Sequence, residues 1–266
     1  MNDVASYVSA LASTWAGLEA AVASLSEDEW CGPTDLPGWS VKDNVSHVVG
    51  VELILLGEPY PSSHVLPDLP YLRSDVARFM EVPVDLRRSL PGASVLAELR
   101  SVVARRLAVL SSPGLTLETE VPGILGRPTT LGALLPLRVF DCWTHEQDVR
   151  RALGLPRALT SPAALVSRAR LLRGLTTLGE DVPRALGRSM VVTTTGAVPS
   201  VATVPFAEGF AWSEGASSAA DVRVTCDFET FLLLGTGRRS ADQVDVAIEG
   251  DVELGRELVR AFAVTP

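Results

Sequence analysis

Apolar positions recur at helical spacing almost from the first residue. Val4, Tyr7, Val8, Leu11, Trp15, Leu18 and Val22 share one face, which predicts an amphipathic helix over residues 3–25. The segments Ser-Glu-Asp-Glu-Trp and Cys-Gly-Pro-Thr-Asp-Leu-Pro-Gly-Trp break that period and read as a loop ended by the Pro37-Gly38 turn. Ser40 with Asp43 marks a helix start, and residues 41–56 form a second helix stopped by Gly57 and Pro59. It is apolar around most of its circumference, so it belongs between neighbours rather than at the surface. Residues 58–70 are a Pro- and Ser-rich loop containing His64. A short helix over 72–81 and a longer one over 94–110 flank Pro91-Gly92, and Thr129 or Thr130 caps a further helix ending near Gly154 and Pro156. Four main helices predict a bundle.

Beyond residue 156 the period changes. A helix over 162–185 precedes short β-branched runs at 190–195, 201–204, 209–212 and 222–225, which read as strands between Gly, Ser and Ala turns. Residues 228–234 read as a short helix, 235–240 as a turn and 244–248 as another strand; Asp251 then caps a last helix running to Phe262. The expected organisation is α plus α+β: a helical bundle over 1–156, then a linking helix and a smaller α+β domain over 157–266. With 266 residues, 47% of them hydrophobic and 21% charged, the chain can fill two cores and shows no composition of disorder.

Charge removes some classes of function. A net charge of −9 and a pI near 4.9 argue against nucleic acid as a partner, because phosphate binding rests on clustered Lys and Arg. Lys42 is the sole lysine, so all other basic residues are arginines. Cys31, Cys142 and Cys226 are too few and too far apart for a disulfide framework or a paired-cysteine zinc knuckle. Neither a signal segment nor an uncharged apolar run approaching 18 residues is present, so the expectation is a soluble, cytoplasmic protein with no membrane partner.

Candidate chemistry sits on two helices. Leu134, Arg138, Asp141, His145, Asp148 and Ala152 form one seam at helical spacing, flanked by Val139, Phe140, Trp143 and Val149. Asp141 and His145 project from one face a turn apart, and His47 comes from the second helix. Buried carboxylates and imidazoles persist when they pair or coordinate a metal. His47, Asp141 and His145 are therefore read as ligands of one divalent ion, a set of three that leaves tetrahedral zinc an open position. The plainer reading of each histidine is a hydrogen-bonded core residue. Glu52 lies on the opposite arc of its helix with Val41, Val45 and Val48 and calls for an arginine partner or a water. His64 is expected in solvent, and Cys142, displaced around the helix from Asp141, is expected to pack.

The segments Leu36-Pro-Gly-Trp-Ser-Val-Lys-Asp-Asn-Val-Ser-His47-Val-Val-Gly and Asp141-Cys-Trp-Thr-His145-Glu-Gln-Asp148-Val-Arg-Arg-Ala-Leu-Gly154 resemble the two signatures of the mycothiol-dependent maleylpyruvate isomerase family. Residues 227–251, from Asp227 through Arg238, Arg239 and Gly250, resemble its C-terminal domain. The resemblance implies a DinB-like four-helix bundle and a sterol-carrier-like α+β domain. It also implies a divalent metal, usually zinc, on His47, Asp141 and His145, although the family's carboxylate is a glutamate and Asp141 is one methylene shorter. Arg238 or Arg239 takes the place of an arginine that assists the family's active site; otherwise the two belong to a solvated turn. Mycothiol, or another low-molecular-weight thiol, is the implied cosubstrate. It would add to a small electrophilic substrate, giving isomerisation if later expelled and S-transfer if retained, with Asp148 orienting His145 through its other ring nitrogen. Water in the open position would make the site a hydrolase. The competing class is a metal-free protein, either a binding module whose α+β domain holds a small apolar ligand near Leu232, Leu233 and Leu234, or a tailoring enzyme reusing the fold.

Overall fold

The computed structural model describes residues 3–61, 63–207, 209 and 211–264. They divide into two compact units, residues 1–158 and 159–266. The first is helical. α1 (Val4–Val22) is capped by Asp3 and followed by a one-turn helix, α2 (Glu27–Trp30), where sequence reading expected loop. Ser26 and Glu29 close a reciprocal capping box there, which satisfies enough backbone donors to form a helix too short for any hydrophobic period.

α3 (Val41–Leu55) starts at a Ser40–Asp43 capping box, and every residue from Val41 to Glu52 is buried. α4 (Asp75–Asp85) runs later than the expected 72–81 because Ser74 caps it, and α5 (Gly92–Leu110) begins at Pro91. A short hairpin of β1 (Glu120–Pro122) and β2 (Pro128–Thr130) was not anticipated; its three-residue strands are too brief to show alternation. Thr130 caps α6 (Leu131–Ala152), the helix carrying the polar seam. α3 packs against α4, α5 and α6, while α1 covers the other side of α6. Trp15, Leu18, Val45, Val48, Leu99, Leu135 and Trp143 fill the core between them.

In the second unit, the helix expected over 162–185 breaks into α7 (Pro162–Leu175), α8 (Leu178–Asp181) and a 3-10 turn at Pro183–Ala185. The Thr176 and Thr177 hydroxyls donate back to the Arg173 and Gly174 carbonyls, and Pro183 has no N–H to continue the ladder. A five-stranded sheet follows: β3 (Ser189–Thr195), β4 (Ser200–Pro205), β5 (Ser213–Glu214), β6 (Val222–Asp227) and β7 (Ala247–Gly250). Its order is β5-β4-β3-β6-β7, with β3 and β6 parallel and the other pairs antiparallel. Of the expected 209–212 strand, Phe210 lies outside the described residues, and pairing starts at Ser213. α9 (Phe228–Gly235), capped by Asp227, follows β6, and α10 (Val252–Arg260), capped by Asp251, follows β7. Phe206, Phe228, Phe231, Leu258 and Phe262 are buried in this unit.

The architecture is thus a helical N-terminal unit followed by a small α+β sheet unit. Leu232 and Leu234 are core residues. No helix among the described residues is long and apolar enough to cross a membrane.

Candidate metal centre

α3 and α6 face each other inside the first unit, and the polar seam of α6 meets the His47 face of α3. His47 Nε2 lies 3.3 Å from Asp141 Oδ2, and His145 Nε2 lies 3.7 Å from Asp141 Oδ1. One ligand atom from each of His47, Asp141 and His145 falls within 4.8 Å of the others. Tetrahedral zinc with bonds near 2 Å holds its donors roughly 3.3 Å apart, so this donor set fits such an ion with small side-chain adjustments. Both histidine side chains are nearly buried at 6% and 7% exposure, while Asp141 keeps 25%, so solvent reaches the cluster on the carboxylate side.

Asp141 also belongs to a chain of buried charges. Arg138, one turn earlier on α6, donates to Asp141 Oδ2 at 2.6 Å and to Glu52 Oε1 at 2.8 Å. Glu52 Oε2 accepts from Arg106 at 2.7 Å, which supplies the arginine partner its position on α3 demanded. Burial works against ionisation of Asp141, but Arg138 and then the two histidines outweigh it and hold its carboxyl well below the ordinary range. Oδ2 is shared by Arg138 and His47, which leaves Oδ1 the freer oxygen toward His145.

Asn44 is a partner that sequence reading missed. His145 Nδ1 is 2.7 Å from Asn44 Oδ1 and 3.6 Å from Asp148 Oδ2, so the contact assigned to Asp148 is made more closely by Asn44. The Asn44 amide is fixed, because its Nδ2 donates to Ser40 O at 2.9 Å and to Thr34 Oγ1 at 3.2 Å. Its oxygen must then face the imidazole, so His145 Nδ1 donates to it and Nε2 is the ring nitrogen turned toward Asp141 and His47. Asn44 precedes His47 by three residues on α3, a same-face spacing that could have revealed it. Asp148 is buried and also lies 3.5 Å from Arg151 Nη1.

Trp39 forms a wall over the cluster. Its ring stacks on His145 at 5.6 Å between centroids and tilts against His47 at 5.2 Å, and the two imidazoles are 4.7 Å apart. The turn that delivers it needs Gly38 at φ +80, where a Cβ would also lie 2.3 Å from the Tyr71 ring. Trp39 stood within a recognised motif without a role. Tyr60 packs on Phe79, and its hydroxyl is buried with no hydrogen-bond partner among the described residues. His47 Nδ1 is likewise buried without one.

The remaining expected residues have partners of their own. His64 is not simply solvated: its Nε2 pairs with Asp85 Oδ2 at 2.8 Å. Cys142 is fully buried against Arg138 and Glu52, a packing position. Arg238 belongs to the second unit and, against the solvated-turn expectation, is buried, with Nη1 donating to the Thr236 carbonyl at 2.7 Å.

A helical bundle that gathers two imidazoles and a carboxylate from facing helices is a protein with a candidate divalent-cation centre in its core. The family model of the mycothiol maleylpyruvate isomerase N-terminal domain matches residues 11–150, more than half of the chain, and the protein belongs to that family. Two uncharacterized proteins from two strains of Mycobacterium tuberculosis are each 27% identical to it over 271 residues, spanning 100% of this chain and 98% of theirs. The crystal structure of the mycothiol-dependent maleylpyruvate isomerase superimposes with a TM-score of 0.58 at 16% identity, covering 92% of both chains. A variant of that isomerase with one histidine replaced by alanine gives 0.55 over the same coverage. At such identity the likeness is one of fold.

Proposed function

We propose that this protein is a metal-dependent enzyme that activates a low-molecular-weight thiol, of the mycothiol type, for isomerisation or S-transfer on a small electrophilic substrate. The observation that carries this reading is the convergence of His47, Asp141 and His145. These three residues would hold the ion, and two imidazoles with one carboxylate suit zinc. A bound divalent cation supplies positive charge that lowers the pKa of a thiol or water beside it.

The chain's own residues prepare that site. Arg138 keeps Asp141 ionised, so the carboxylate is available as a donor without first losing a proton. A carboxylate oxygen has more than one lone pair, so Oδ2 can accept from Arg138 while the group still offers donors to an ion. Asn44 fixes the tautomer of His145, and Asp148 is assigned a supporting part in the charge around that ring. Substrate and thiol would approach from the Asp141 side, where the cluster is open to solvent. Arg238 is retained as the residue of the α+β unit proposed to meet an anionic group of the substrate.

A second reading has an observation of its own. The Arg106–Glu52–Arg138–Asp141–His47 chain of contacts already satisfies most of the seam without an ion, as a metal-free protein that binds or modifies a small ligand would require. Elemental analysis of untagged protein separates the two. About one zinc or similar ion per chain, lost in His145→Ala and His47→Ala but kept in His64→Ala, supports the enzyme reading. Absence of metal after reconstitution, or full occupancy in either of the first two variants, overturns it. Consumption of an activated alkene that requires both thiol and ion then tests the chemistry.

A further inference from the structure

Glu81 is a fully buried carboxylate far from the candidate ligands in sequence. A charge in that position needs donors, and its two oxygens divide them unequally. Oε1 accepts from the Tyr71 hydroxyl at 2.8 Å and from Arg88 Nη2 at 2.6 Å, whereas Oε2 accepts the indole N–H of Trp39 at 2.9 Å. Arg88 does not depend on Glu81 for charge balance, since it also reaches Asp43 Oδ1 at 3.4 Å and Asp85 Oδ1 at 3.3 Å. The oxygen that Arg88 leaves aside is the one aimed at the indole. The same indole lies against both imidazoles, at 5.6 Å from His145 and 5.2 Å from His47.

We infer that Trp39 and Glu81 are positioning residues, with Glu81 holding the Trp39 ring against His145 and His47 so that both imidazoles keep their ligating orientation. The inference rests on the proposed metal reading for its consequence, though not for its geometry. An imidazole can rotate about its Cβ–Cγ bond. Asn44 fixes one nitrogen of His145, but His47 has no such hydrogen bond at Nδ1 among the described residues, so its orientation depends on packing. The aromatic face of Trp39 supplies that packing. The indole could itself pivot at the end of the Pro37-Gly38 turn, and the bond to Glu81 on α4 removes that freedom. Groups that orient metal ligands from outside typically change affinity by roughly 10- to 100-fold when removed.

The test is a double-mutant cycle on the full chain with Trp39→Phe, Glu81→Gln and the pair, each read in two ways. The first readout is zinc affinity, measured by competition with a chromophoric chelator. Glu81→Gln is expected to weaken zinc binding about 10-fold or more in the Trp39 background and to have little effect once Trp39 is Phe. The second readout uses metal-free protein: the NMR ring resonances of His47 and His145 should shift with Glu81→Gln in the Trp39 background and stay in place in the Phe background. Equal effects of Glu81→Gln in both backgrounds, or none in the first, overturn the inference. If the wild-type chain binds no zinc, the metal reading fails and the metal-free resonances alone decide this one. If Glu81→Gln does not fold, Trp39→Phe decides: unchanged imidazole resonances together with unchanged zinc affinity refute it.

Discussion

Removing Glu52 should unfold the first unit more readily than any surface change, because two buried guanidinium groups converge on it. Glu52 is fully buried, Arg106 is 3% exposed and Arg138 fully buried. In Glu52→Leu, Arg138 keeps Asp141 at 2.6 Å, whereas Arg106 keeps only the Leu55 carbonyl at 3.4 Å. The cost is therefore mainly one stranded buried charge, about 3–5 kcal/mol. Taking a urea slope of about 2 kcal/mol per molar for a unit of this size, the midpoint should fall by about 1.5–2.5 M. Trp15, Trp30, Trp39 and Trp143 lie in the first unit and Trp212 in the second, so tryptophan fluorescence follows mainly the transition of interest. Glu52→Leu combined with Arg106→Leu removes the stranded charge and should recover about 2 kcal/mol or more of the loss. A single variant within about 1 kcal/mol of wild type, or a double variant no more stable than the single, would refute the assignment of Glu52 as the counter-ion of both arginines.

Three further outcomes are expected. Gly50→Ala should destabilise by about 1–3 kcal/mol net despite the better helix propensity of alanine, because its Cβ would sit 2.1 Å from Pro83 Cβ; a rise in thermal midpoint would contradict the packing. Asp141 has a depressed carboxyl pKa in the fold, so the stability it contributes is fully present above its unfolded value near 3.8 and is lost only as pH falls through the lower folded value. The difference in thermal midpoint between metal-free wild type and Asp141→Asn should thus not shrink between neutral pH and about pH 4 and should shrink in stronger acid; shrinkage already at pH 6 would contradict it. Burial pushes the Cys226 thiol up to about 12 and that of Cys142 higher still, whereas Cys31 is exposed. Iodoacetamide at pH 8 should alkylate Cys31 alone in folded protein and all three in urea, as mass spectrometry would count.

Elements with a long hydrophobic period or a side-chain cap were legible in the sequence. Ser40, Thr130 and Asp251 each cap the helix they were expected to start, because capping depends on neighbours two or three residues away. The meeting of His47 with Asp141 and His145 was legible because helical spacing puts the latter two on one face and the apolar surroundings bury α3 against α6. What escaped reading depends on contacts that no local pattern encodes. The Glu81 to Trp39 bond spans 42 positions, and the stacking of Trp39 follows from a loop conformation. Asn44 lost its place to Asp148 because a partner for His145 was sought on its own helix and not on the facing α3. The helix expected through residue 185 shows the opposite fault, since its apolar period continues while back-bonding threonines and Pro183 end the backbone ladder.

Lys42 carries the chain's single side-chain amine, and the fold hides it. It is 6% exposed, with Nζ donating to the Leu90 carbonyl at 2.9 Å and to Glu27 at 3.2 Å, while Glu27 also accepts the Gly92 N–H at 2.8 Å. The amine thus joins the start of α3 to α2 and to the turn before α5, the end of the bundle from which Asn44 and His47 are built. An acylating reagent can reach it only when that end opens, so at high reagent concentration the rate of Lys42 acylation counts opening events directly. The protein carries its own clock for breathing at the root of the candidate centre, readable in the single peptide that ends at Arg73 without any introduced label.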